Sequence, residues 1–201
     1  MVSRYYGRMS EAKGPGGRPR SEQAREAVLH AVDDLLLEVG YAALTMKGIA
    51  ERAGVGRQTV YRWWSTKAEV LFEASVADVA EELAVPPADA TEQPADAALG
   101  VVTAYLDAFV RFLAHSPAGI AHRTLLGAAQ HDPAVKALVD ADDALVASAR
   151  TVVERARPGR SVSDQEAAQL IGPPLFWIMT GRDPADLDTG ELARGFLAAH
   201  P

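Results

Sequence analysis

The sequence contains no cysteine, which removes a disulfide framework, thiol catalysis and a thiolate zinc site from consideration. Aromatic residues make up only 6% of its 201 residues; this scarcity, with abundant alanine, favours helices over sheets, and no segment reads as a strand. No apolar run reaches the roughly 18–20 residues that a bilayer-spanning helix needs. The N-terminus lacks the apolar stretch of a secretory signal, so a cytoplasmic protein without a membrane partner is expected. Metal chemistry is also poorly supported. His115, His122 and His131 stand seven and nine residues apart, intervals that do not stack ligands on successive helical turns. No Ser/His/Asp or paired-carboxylate arrangement follows from spacing, so the expectation is a non-enzyme with no metal and no cofactor.

What is present is a normal hydrophobic share of 48%, enough for a buried core, and a net charge of −7 that is unevenly divided;. Residues 1–70 carry 11 Lys/Arg against 8 Asp/Glu, and residues 71–201 carry 9 against 19. A weakly basic N-terminal part joined to a strongly acidic remainder suits a chain that meets a polyanion at one end, although clustering of this size also arises by chance.

Residues 1–20, with Gly7, Gly14, Gly16, Gly17, Pro15 and Pro19, lack apolar periodicity and predict a disordered basic arm;. Helical spacing then predicts about nine helices in an all-α fold. The first runs from Ala24 to Val39 with Ser21 as N-cap and Gly40 as its stop. The next three are Met46 to Ala53 capped by Thr45, Arg57 to Trp64, and Thr66 to about Leu83 capped by Ser65. After a linker around Pro86, Pro87 and Pro94 come Ala95 to His115, Ala118 to Gln130 and Ala134 to Ala156. Ser163 or Asp164 begins a helix to Thr180, kinked by Pro173 and Pro174, and the last covers Leu187 to His200. Asp140, Asp142 and Asp143 read as a solvated acidic face.

The informative stretch is Leu44 to Leu71, LTMKGIAERAGVGRQTVYRWWSTKAEVL. Two short helices joined by a glycine turn form a helix-turn-helix, whose second helix enters the major groove of DNA. Ala50 permits close approach, Gly54 supplies a left-handed turn residue, and Ile49, Val55 and Val60 pin the crossing from inside. Arg57, Gln58, Thr59, Tyr61 and Arg62 are left facing outward. Arg57 suits a bidentate bond to guanine and Gln58 one to adenine. Thr59, Tyr61 and Lys67 suit phosphate oxygens, as does the amide end of the helix begun by Thr45. Arg18 and Arg20 in the arm suit a narrow minor groove, or belong to a solvated tail.

This segment closely resembles the DNA-binding domain of the TetR (tetracycline repressor) family. The resemblance rests on Gly40-Tyr41, Thr45, Ala53-Gly54-Val55, Tyr61 and Trp64-Ser65-Thr66-Lys67, and covers about residues 21–72. One departure is Gly56, where the family commonly has Ser or Thr, so a cap or side-chain contact is expected to be missing. The resemblance implies a homodimer, usually a repressor, that binds double-stranded DNA through residues 21–66 and a small effector through residues 67–201. The alternative is a dimeric DNA-binding protein without an effector.

Behind the head the residues are less specific. Tyr105, Phe109 and Phe112, with Phe176 and Trp177, fit either the lining of a pocket for a partly apolar effector or plain core. His122 and Arg123 lie in the short helix that, by family analogy, sits between the domains; there they fix a polar ligand group, relay movement or face solvent. The tail from Gly172 resembles the C-terminal end of one TetR subgroup, in which such helices pair across a dimer. Leu175, Ile178, Met179, Leu192 and Phe196 are its candidate interface.

Overall fold

A computed structural model of the chain describes residues 18–77, 79–85 and 93–200, and every regular element among them is helical. The head comprises α1 (Arg18–Ala43), α2 (Met46–Arg52) and α3 (Arg57–Tyr61). Behind it follow α4 (Lys67–Ala77), α5 (Val79–Glu82), α6 (Pro94–His115), α7 (Pro117–Ala129), α8 (Pro133–Ala141) and α9 (Ala144–Ala156). The chain closes with α10 (Asp164–Met179), a 3-10 turn at Pro184–Asp186 and α11 (Thr189–Ala199). The fold is all-α; the helix predicted over 66–83 is described as α4 and α5 on either side of residue 78, which lies outside the described residues, and the one predicted over 134–156 divides into α8 and α9.

The division between α8 and α9 has a visible cause. Asp143 leaves helical geometry and accepts a hydrogen bond from the Val146 amide at 3.0 Å, capping α9;. Asp140, Asp142 and Asp143 are all exposed, as the sequence reading expects, and each has its own place: Asp140 pairs with Lys136 at 2.6 Å, Asp143 is a cap, and Asp142 borders a cleft. Two other predicted caps shift. Helix α1 already begins at Arg18, with Pro19 in the first turn where its missing N–H costs nothing, so Ser21 is not the N-cap;. Thr66, not Ser65, accepts the Glu69 amide at 3.2 Å, while the Glu69 carboxylate accepts the Ser65 amide at 2.6 Å;. The expected arm shortens accordingly, and its residues 1–17 lie outside the described residues. Helix α10 continues through Pro173 and Pro174.

Apolar side chains gather in two cores. The first joins Val28 and Val32 of α1, Ile49 of α2, Val60 of α3 and Leu71 of α4, and it also takes in Leu125 of α7 and Val135 of α8. The second surrounds α6, whose Val102, Tyr105, Leu106, Phe109 and Leu113 pack with Val153, Ile171 and Phe196. Helix α7 belongs to both, with Ala118 in the second core and Ala121, Leu125 and Ala129 in the first. Its first turn lies so close to the end of α6 that a Cβ at Gly119 would stand 1.9 Å from the Phe112 carbonyl oxygen. Only glycine fits there.

Helix α6 also corrects an expectation. Ala95–His115 is long and apolar enough, by length and composition, to cross a membrane. Asp107 and Arg111 interrupt the run in the sequence without lowering its mean hydropathy below that threshold. The apolar face is used inside the protein, because α7, α9, α10 and α11 pack around this helix;.

Candidate functional site

The helix-turn-helix is assembled from small, local devices. Thr45 sits in extended conformation and its hydroxyl accepts the Gly48 amide at 3.0 Å, starting α2 as the sequence predicts;. Gly54 adopts φ +67°, the left-handed turn residue between α2 and α3;. Inside the angle, Ile49 and Val60 are fully buried, as is Ala50 at 1% exposure. Helix α3 starts at Gly56, which supplies no side-chain cap, in line with the departure noted in the sequence. Burying Val60 turns its neighbours outward. Arg57, Gln58 and Arg62 are exposed, Tyr61 is 55% exposed, and Thr59 is half-buried.

Several contacts fix α3 against the rest of the head. The Trp64 indole, 2% exposed, donates to the Glu73 carboxylate of α4 at 2.9 Å, and the same carboxylate pairs with Arg25 of α1. Trp63 stands edge-on to Trp64 at 5.4 Å, and the Arg62 guanidinium lies 4.8 Å from the Trp63 ring centroid;. Arg52 at the end of α2 donates to Glu38 of α1 at 2.8 Å and stands 3.7 Å from Asp34. None of these clamps was read from the sequence. An indole with one donor to satisfy and a carboxylate nine residues on, at Glu73, was the available signal.

Lys67 is placed differently from its predicted role. Its ammonium donates to the carbonyls of Tyr41 at 2.7 Å and Leu44 at 3.0 Å and lies 4.3 Å from the Tyr41 ring centroid. It closes the α1–α2 junction from α4 instead of pointing at a phosphate. The backbones of Arg18 and Arg20 belong to the first turn of α1.

The C-terminal candidates separate into distinct environments. Tyr105, Phe109 and Phe112 are at most 1% exposed and belong to the core. The Tyr105 hydroxyl meets Ser148 Oγ at 2.7 Å, and burial pushes its pKa above the ordinary phenol value;. His122 is 6% exposed, its Nδ1 has no partner among the described residues, and burial lowers its pKa while Asp143 opposes the shift. Arg123 is half-buried and its pKa is lowered by desolvation. Phe176, a predicted pocket residue, is instead 59% exposed, and Trp177 donates to the Asp183 carbonyl at 2.8 Å. Arg182 covers both rings, 5.5 and 4.7 Å from their centroids.

Of the residues predicted at a dimer interface, Ile178 and Phe196 are 5% and 8% exposed and belong to the protomer core. Leu175 and Leu192 are half-buried, and Met179 is 43% exposed. The face left open is therefore Phe176 and Met179, one helical turn apart on α10;.

A cleft of about 490 Å³, lined by none of the predicted pocket residues, opens between α4–α5 and α9. Val76, Val79, Ala80 and Leu83 form one wall, and Ala144, Ala147, Ser148, Thr151 and Arg155 of α9 form the other. The latter recur at helical intervals, a stripe of small and polar residues that the sequence displays.

A buried Val60 beneath exposed Arg57, Gln58, Tyr61 and Arg62, held at a glycine turn and joined to a helical body, defines a helix-turn-helix protein of the DNA-binding class;. Residues 28–74 match the family described as bacterial regulatory proteins, tetR family. The chain is 38% identical over 116 residues to the HTH-type transcriptional regulator YdeS of Bacillus subtilis (strain 168), a match covering 58% of this chain and 54% of that protein. An HTH-type transcriptional regulator of Mycobacterium tuberculosis (strain ATCC 25618 / H37Rv) is 40% identical over 70 residues, 34% of each chain. The chain thus spans about half the length, or less, of the curated relatives it matches. The solved structure of a TetR family transcription regulator superposes with a TM-score of 0.66 at 28% identity, covering 89% of this chain and 99% of the other. A TetR transcriptional regulator from Rhodococcus sp. RHA1, 18% identical with a TM-score of 0.61, covers 90% of this chain and 99% of its own, and shares the fold.

Proposed function

We propose that this chain is a cytoplasmic transcriptional regulator that binds a pseudo-palindromic operator as a homodimer, acts as a repressor and is released by a small-molecule effector. The observation that carries the reading is the outward face of α3, Arg57 to Arg62, presented over a buried Val60. Two such helices, one per protomer, would enter successive major grooves about 34–36 Å apart. Arg57 and Gln58 read base edges, Tyr61, Thr59 and the amide end of α2 at Thr45 hold phosphates, and Arg62, stacked on Trp63, supplies a pre-oriented cation;. Arg18 and Arg20, at the start of α1, carry the contribution of the N-terminal arm. On this reading residues 21–66 form the reading head and residues 67–201 the effector and dimer body, with α4 linking them.

The effector need only prefer one head separation over another. A coupling of about 1–3 kcal/mol shifts operator affinity roughly 5–150-fold, and DNA must weaken effector binding by the same factor. The deciding experiment selects a duplex from random DNA and then measures Arg57→Ala on single-base variants of it. The expected loss is about 1–3 kcal/mol at one base pair per half-site. A loss spread evenly over all sequences removes the base-reading role, and failure to enrich any two-fold symmetric site removes the dimeric operator.

A further inference from the structure

The cleft between α4–α5 and α9 carries an inference about effector chemistry, which rests on the ligand-responsive reading above. Tyr105, Phe109 and Phe112 are closed into the core, whereas this cleft is open, and its volume of about 490 Å³ falls in the usual roughly 300–1,000 Å³ range of small-molecule sites. Alanines at 80 and 147 keep the two walls apart.

The polar groups are distributed unequally. In the middle, Ser148 donates to the Leu145 carbonyl at 2.8 Å and Thr151 to the Ala147 carbonyl at 3.0 Å, so both hydroxyl protons are occupied by α9 itself. A ligand passing them meets no free donor there and is best apolar along its length. At the C-terminal end of α9, Arg155 donates to the Val85 carbonyl at 2.8 Å. A guanidinium has five N–H donors in a planar fork, so one such bond leaves a pair matched to a carboxylate. At the opposite end stands Asp142, before the first turn of α9. Ala144 and Arg155 are eleven residues apart, roughly 16 Å along a helix, and a second anion at the Asp142 end would be repelled.

We infer that the cleft binds an elongated apolar monocarboxylate, its carboxylate on Arg155, its body between Val76, Ala80 and Leu83 on one side and Ala147 on the other. Because Arg155 also holds the last turn after α5 through Val85, an anion seated on it joins α9 to the α4–α5 wall and so bears on the helix that positions the head.

The test titrates the full-length protein calorimetrically with dodecanoate below its critical micelle concentration, beside 6-phenylhexanoate, dodecan-1-ol and dodecanedioate. One carboxylate probe per chain is expected, with the alcohol and the dianion each at least about tenfold weaker. Arg155→Met should bring dodecanoate down to the level of the alcohol without a change in melting temperature, and Ala147→Phe should abolish binding of all four. Equal affinity for dodecanoate and dodecan-1-ol, an unchanged Arg155→Met, normal binding by folded Ala147→Phe, or no binding of either monocarboxylate at millimolar concentration overturns the inference. If Ala147→Phe does not fold, the Arg155→Met comparison decides alone. Operator binding is measured on the same preparation. A chain that holds its operator but ignores carboxylates loses only this inference, whereas one that binds no duplex loses the regulator reading as well.

Discussion

At the scale of single residues, the clearest revision concerns Lys67. A lysine next to a helix-turn-helix reads as a phosphate ligand, yet its ammonium is committed to two main-chain carbonyls and the Tyr41 ring. Lys67→Met should therefore destabilise the fold by about 1.5–3 kcal/mol, the range for charge-assisted hydrogen bonds, as read from denaturant midpoints. The log–log salt dependence of DNA binding should stay as it was; a slope reduced by about one would return Lys67 to the phosphates. His122 gives a second prediction at this scale. Burial disfavours its charged form, so the folded pKa lies below the ordinary 6.5 despite the opposing charge of Asp143;. As pH falls below 6.5, the unfolded chain takes a proton that the folded chain refuses;. Stability is lost over that window until the folded imidazole titrates too. Thermal melts between about pH 7 and pH 5 should show a steeper decline for the parent protein than for His122→Phe, and parallel curves would count against a buried neutral imidazole.

Elements are decided by backbone needs that composition only partly announces. The α2–α3 corner was legible because each device is local: a threonine cap, a left-handed glycine, and Val60 alone among polar neighbours. The break between α8 and α9 was not, since an Asp inside a helical pattern and an Asp that caps a new helix look alike until the chain turns;. Glycine at 119 shows the same ambiguity. In sequence it is an undistinguished helix residue, and only the crossing of α7 over the end of α6 makes a Cβ there collide with the Phe112 carbonyl. Gly119→Ala should cost about 3 kcal/mol, lowering the melting temperature by roughly 6–12 °C. A melting temperature within about 2 °C of the parent would mean that α7 can move away at little expense.

On the proposed dimeric reading, the whole molecule adds the question of how two heads are held. Phe176 and Met179 remain open on α10 while Ile178 and Phe196, from the same predicted interface, are consumed by the protomer core. If that face pairs two copies, Phe176→Glu with Met179→Glu should raise the dimer dissociation constant by roughly a hundredfold or more, since each buried apolar side chain contributes about 1.5–3 kcal/mol and a two-fold interface counts it twice. Sedimentation across a concentration series checks this, and an unchanged association would move the interface to another face. The amino-acid order by itself determined the helical class, the position of the helix-turn-helix and the outward residues of α3, because those follow from local cap and turn chemistry and from helical periodicity. Which aromatic rings became core, which stayed exposed, where the cleft opened and what Lys67 holds were decided only when α4, α6, α7, α9 and α10 packed together. Periodicity states that a residue faces something; the identity of that neighbour belongs to the tertiary arrangement.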